Sequence, residues 1–179
     1  MMRLLGAILL LASLLPAAAQ ADKPRPEDRA AIDACLNSHH DDRERCITAV
    51  FKRCTEAPQG PNDEVPHDST AGQVECFNRE MAVWDEKMDA SLKKLRSGAL
   101  GKIVLERPDG NARKKVVGTA IINDMQKTWL DSVDKICDTE SMFYDGGTIV
   151  HIMVGHCELR ETGRHVIWLL DLINDTSDR

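Results

Sequence analysis

No C-x-x-C pair occurs among the six cysteines, so the usual spacing of a zinc-ligand set is missing. No serine sits in a G-x-S-x-G or comparable setting, and no two acids stand out as a general acid and base. The chain is therefore expected not to be an enzyme, and to use no metal or other cofactor. Its six histidines do not change this. His151 and His156 lack the four-residue spacing that stacks two ligands on one helix face. His39-His40, beside Asp41-Asp42, reads as a solvated polar turn. Past the N-terminus no apolar run is long enough to span a membrane, and no repeat or low-complexity tract stands out. Basic residues number 23 against 29 acidic ones, a balance that makes a poor nucleic-acid binder.

What is present begins with an export signal. Met1-Met2-Arg3 supplies a positive start, Leu4 to Leu15 is nearly all apolar, and Ala19-Gln20-Ala21 fits the small-x-small rule. Cleavage is expected before Asp22, giving a signal peptide over 1–21 and a periplasmic or secreted chain. No cysteine lies near that point, so no lipid anchor is expected. Removing Arg3 with the signal leaves 22 basic against 29 acidic residues, a net charge of −7. Such a chain stays soluble and is steered towards cationic partners.

All six cysteines lie beyond the signal, and an even count in an exported chain argues for three disulfides. Six cysteines permit fifteen pairings. The expected order is nearest-neighbour. Cys35 and Cys46 flank the turn at His39-His40-Asp41, Cys54 and Cys76 bracket a Pro-rich loop, and Cys137 and Cys157 bracket Gly146-Gly147. Loops of this size are worth about 3 kcal/mol each in the chain-entropy model.

Hydrophobic periodicity predicts an all-α fold, a small disulfide-stapled bundle with an N-terminal helical hairpin over 22–56. Glu27 to Ser38 reads as its first helix. A second, capped by Asp41 or Asp42, carries Cys46, Ile47, Val50 and Phe51. Residues 57–69 form a loop with Pro58, Pro61 and Pro66. A helical domain is expected over 70–174, with a polar tail at 175–179. Thr70 and Gln73 have the capping-box form, and Phe77, Met81, Trp84, Met88, Leu92 and Leu95 make one stripe to about Arg96. Lys102 to Leu105 reads as a short strand or extended chain, and Pro108-Asp109-Gly110 as a turn. From about Asn111 the helical period is expected to return, with Ile122, Met125, Trp129, Val133 and Ile136 inward. A last helix over Thr148 to Ile173 places Ile149, Ile152, His156, Leu159, Val166, Leu170 and Ile173 inward.

Gln73-x-x-Cys76, Trp84-Asp85, Gln126-x-x-Trp129, Asp134-x-x-Cys137, Gly146-Gly147-Thr148 and Cys157 followed by Thr162 occur in that order. The set resembles the LprI-type lysozyme-inhibitor family, small exported proteins, over about Thr70 to Leu170. At His165 this chain departs from an arginine usual in the family, and Arg164 sits one place early. The resemblance implies a binding protein that inhibits a cationic lysozyme by steric occlusion. The other reading is a structural or envelope-stress module with a different cell-envelope protein as partner.

The stretch Ser141 to Asp145 holds the only tyrosine, beside Cys137 and the Gly-Gly turn. Phe143, Tyr144 and Asp145 are the expected partner-binding residues, because a tethered aromatic loop loses little entropy on binding. Packing of Phe143 and Tyr144 over the disulfide is the alternative. The loop Glu56 to Ser69 is a second candidate contact.

Overall fold

A computed structural model describes residues 23–60, 65–144 and 147–177. The expected signal segment, Asp145, Gly146 and the end of the polar tail lie outside the described residues. Helix α1 spans Pro26–Ser38, with Pro26 in its first turn and Glu27 and Asp28 at the positive end of the helix dipole. A 3-10 turn over Arg43–Cys46 leads to α2, Ala49–Glu56. Then come the long α3, Thr70–Ser97, and the one-turn α4, Ala99–Lys102. Strands β1, Val104–Asp109, and β2, Ala112–Val117, precede α5, Gly118–Ser141, and α6, Ile149–Ser177. The described chain is mostly helical, and the disulfides join Cys35 to Cys46, Cys54 to Cys76 and Cys137 to Cys157.

Helices α3 and α6 form the central pair, with α2 packed on α3 and α5 packed on α6. Phe77, Trp84, Met88, Leu92 and Leu95 on α3 are buried as the period predicts, against Leu159, Val166, Leu169 and Ile173 on α6. The N-terminal hairpin shares this core through Ile32, Leu36, Val50 and Phe51. Its loop residue Ile47 lies so close to α6 that a Cβ on Gly163 would stand 2.7 Å from its Cγ1. Asp28, fully buried, accepts from Arg53 at 2.5 Å and from Arg79 at 2.8 and 3.0 Å, which joins α1, α2 and α3.

Several boundaries differ from the sequence reading. The second helix does not start at Asp41 or Asp42. The chain makes a 3-10 turn there, and Thr48 takes a left-handed conformation, φ 79°, before α2 begins. That conformation is unfavourable for a β-branched residue, on the order of 1–3 kcal/mol. It is held by the buried carboxylate of Glu80, which accepts the Thr48 and Phe51 N–H groups at 2.7 Å each and the Trp84 indole N–H at 3.0 Å. The cap of α3 is Ser69, whose hydroxyl accepts from the Gly72 N–H at 3.1 Å. Gln73 donates instead to the Asp68 carbonyl.

The extended chain and turn expected at 102–110 form, and the larger correction lies at 111–117. The helical period does not return at Asn111. A β-hairpin forms, in register from Val104 opposite Val117 to Asp109 opposite Ala112. Gly110, at φ +58°, makes the tight two-residue turn, and the β-branched Val116 and Val117 pair with Leu105 and Val104. The apolar stripe of α5 starts at Ile122 and includes Val133, but Ile136 is exposed. On α6, Ile149 is exposed rather than inward, while Ile152, His156 and Leu170 are half-buried.

Glu80→Ala strands two backbone donors and an indole donor in the interior. It is expected to lower the unfolding free energy by about 3 kcal/mol or more in urea titrations. Glu80→Gln, which keeps an acceptor oxygen, should lose less.

Candidate functional site

The Cys137–Cys157 bond ties the last turns of α5 to the first turns of α6, with both cysteines buried beside Val133. Arg160 reinforces the tie. Its guanidinium forks onto Glu140 at 2.5 and 3.3 Å and reaches Glu161 at 2.8 Å, and both partners hold it firmly protonated. This clamped end carries a 3-10 turn over Met142–Tyr144. Met142 is 74% exposed and Phe143 85% exposed, so Phe143 does not close over the disulfide. Tyr144 is half-buried beside it. An aromatic ring standing in water on a covalently fixed support has the character of a binding anchor.

The polar residues of the motif set lie elsewhere. Gln126 and Trp129 on α5 face His165 on α6. The Nε2–H of His165 donates to Gln126 Oε1 at 2.8 Å, and its ring stacks on Trp129 with centroids 4.1 Å apart and planes 7° off parallel. Gln126 in turn donates to the Met88 sulfur at 3.1 Å. Thr162 is buried, and Trp84 is spent on Glu80. These side chains fix how α3, α5 and α6 meet, and leave little for a ligand.

Reactive groups are scarce. No described cysteine is free, so no thiolate nucleophile is on hand. Cys35, His39 and Cys46 come close together, but both sulfurs are consumed in one disulfide, which leaves the imidazole alone. Burial raises the carboxyl of Glu158, helped by Asp134 and Asp138, and burial with Asp89 raises Asp85. Glu158 borders a largely apolar cavity of about 480 Å³ between α3 and α6, lined also by Phe77, Met81 and His151, and no described serine or free thiol lines it.

One surface was not foreseen from sequence. An apolar groove of about 200 Å³ runs under the base of the β-hairpin, lined by Ile103, Leu105, Ile121, Met125, Trp168 and Leu172. Trp168 is 47% exposed at its edge. The available signal was Val104-Leu105 and Val116-Val117 placed symmetrically about Asp109-Gly110.

Fold and site together define a small, mostly helical protein held by three disulfides. The family model described as Lysozyme inhibitor LprI matches residues 61–169, and the chain belongs to that family. No curated protein and no solved structure matches it. Three disulfides fit an oxidising, extracytoplasmic setting. Among the described residues no helix is long and apolar enough to cross a membrane.

Burial drives the His165 pKa down from 6.5 to about 4, so the ring is neutral in the fold. Between those values the unfolded chain binds a proton that the folded chain refuses. Stability should therefore fall as pH drops from about 6.5 to about 4, by at most about 1.4 kcal/mol per pH unit from this residue. His156, lowered by burial and by Arg160, acts in the same direction. Urea midpoints at pH 7 and pH 4.5 check this, and the drop should shrink in His165→Phe, which keeps an aromatic ring on Trp129 but cannot titrate.

Proposed function

We propose that this protein binds a lysozyme in the periplasm or outside the cell and inhibits it by covering its glycan cleft, with no chemistry of its own. Membership of the lysozyme-inhibitor family supports the target class. The observation that carries the binding reading is Phe143, 85% exposed on an end locked by Cys137–Cys157 and Arg160–Glu140. Phe143 is the anchor, and Tyr144 and Asp145 complete the contact. The mature net charge of −7 attracts a cationic enzyme at long range. An ordered support means that little entropy is lost when the anchor docks.

The test is binding of the oxidised protein to c-type, g-type and i-type lysozymes, with a cell-wall lysis assay alongside. Micromolar or tighter binding, loss of lysis, and weakening at high salt are expected for at least one type. Phe143→Ala should weaken that binding by about 2 kcal/mol, the loss of a typical aromatic hot spot. A folded protein that binds none of the three overturns the inhibitor reading and leaves a structural or envelope-stress module as the reading to test.

A further inference from the structure

The β1–β2 hairpin stands outside the bundle. Every strand residue except Val116 is exposed, and its base is closed by the Gly118 N–H donating to the Ile103 carbonyl at 2.7 Å. An isolated two-stranded hairpin is marginal in water, so its own burial does not account for it. The two faces differ. On one, Glu106 lies opposite Lys115 and forms an ion pair with Arg113 at 3.6 Å, so charge is largely balanced. On the other, Leu105 lies opposite Val116, and the next pair outward is Arg107 opposite Lys114.

Like charges directly opposite each other weaken a strand pair. Among the described residues neither Arg107 nor Lys114 has an ion-pair partner, although Asp109 follows on the same face. The same face carries Leu105, which lines the apolar groove edged by Trp168. Apolar contact at the base and two unneutralised cations further out call for a partner surface that sets carboxylates deep and apolar atoms at the rim.

A lysozyme cleft supplies the carboxylates. Its two carboxyl groups sit roughly 5–9.5 Å apart, a gap that two long cationic side chains from directly opposed strand positions can span. The hairpin is a narrow ribbon about 20 Å long, a shape that fits a cleft built for an extended glycan. We propose that the hairpin is the element that enters the cleft, setting Arg107 and Lys114 against the catalytic carboxylates while Leu105 and Trp168 pack on the rim. This rests on the inhibitor reading and names the part of the chain that fills the site. Phe143 lies beyond the other end of the 24-residue α5, about 36 Å away, and so is an anchor outside the cleft. The charges invert in step: an acidic body meets a cationic enzyme, and a cationic arm meets its acidic cleft.

Arg107→Glu tests this without harming the hairpin, because it turns a repulsive cross-strand pair into an attractive one with Lys114. Lys114→Glu does the same from the other strand. Each variant should fold with an unchanged or higher melting temperature, yet inhibit the susceptible lysozyme about tenfold or more weakly. Chitotriose, which occupies the cleft, should compete with the wild-type protein. Should the wild type inhibit and chitotriose compete while both variants inhibit as well as the wild type, the hairpin is not in the cleft and the inhibitor reading survives alone; should chitotriose fail to compete, neither the hairpin nor any other part covers the cleft. Should the wild type bind no lysozyme, both fall together.

Discussion

One buried carboxylate sets the geometry of the N-terminal half. Glu80 sits on α3 in the middle of the core, yet it accepts three hydrogen bonds, two of them from the backbone that opens α2. Burial pushes its carboxyl pKa up while the donors pull it back. The arrangement allows Thr48 its left-handed turn, and that turn aims α2 so that Phe51 stacks on Phe77 with centroids 4.1 Å apart. His156 of α6 then meets both rings edge-on. Glu80 thus fixes how the start of α2 meets the central helix pair, and the Asp28 network with Arg53 and Arg79 repeats the device nearby.

Covalent and polar constraints divide the work. The three disulfides close separations of 11, 22 and 20 residues, all local. They narrow the unfolded ensemble but do not choose how the helices pack. That choice falls to contacts between distant residues: Ile47 against Gly163, His165 between Gln126 and Trp129, and Glu80 beneath Thr48. The outer ends of the bundle, where Phe143 and the β-hairpin project, contribute little to the core. They are free to be shaped by a partner because the interior does not need them.

The sequence carried the parts of the fold that depend on period and spacing. The α3 stripe repeats at three and four over about five turns, too long a pattern to arise otherwise, and the symmetric placement of cysteines about turn residues matches how they pair. What it did not carry depends on contacts far apart along the chain. Nothing near Thr48 announces a left-handed residue, because Glu80, which supports it, lies 32 positions on. The first strand and its turn were legible in Val104-Leu105 and Pro108-Asp109-Gly110, but the second strand was hidden by its own exposure. Strands wet on both faces show no apolar-polar alternation, and Ala112 to Lys115 reads equally well as the polar start of a helix. Of the candidate site, the aromatic turn beside Cys137 was legible from its position, while the groove was not. Its walls come from the end of α3, α4, the hairpin, α5 and α6, and only their assembly creates it.

The charges on the hairpin have a second physical account, and the geometry separates the two. Exposed strands commonly carry lysine, arginine and proline to discourage edge-to-edge association. Pro108 and the Arg113–Glu106 side of the hairpin suit that purpose. Edge protection asks only that charge be present, however, and a mixed pair protects as well as a repulsive one while strengthening the hairpin. It gives no reason for two cations to face each other on the side shared with Leu105 and the Trp168 groove. Repulsion retained on the face that adjoins the apolar groove is what a surface completed by an outside anion requires. The acidic remainder of the molecule cannot supply that anion without collapsing the arm onto the body, which the exposed hairpin shows it does not do.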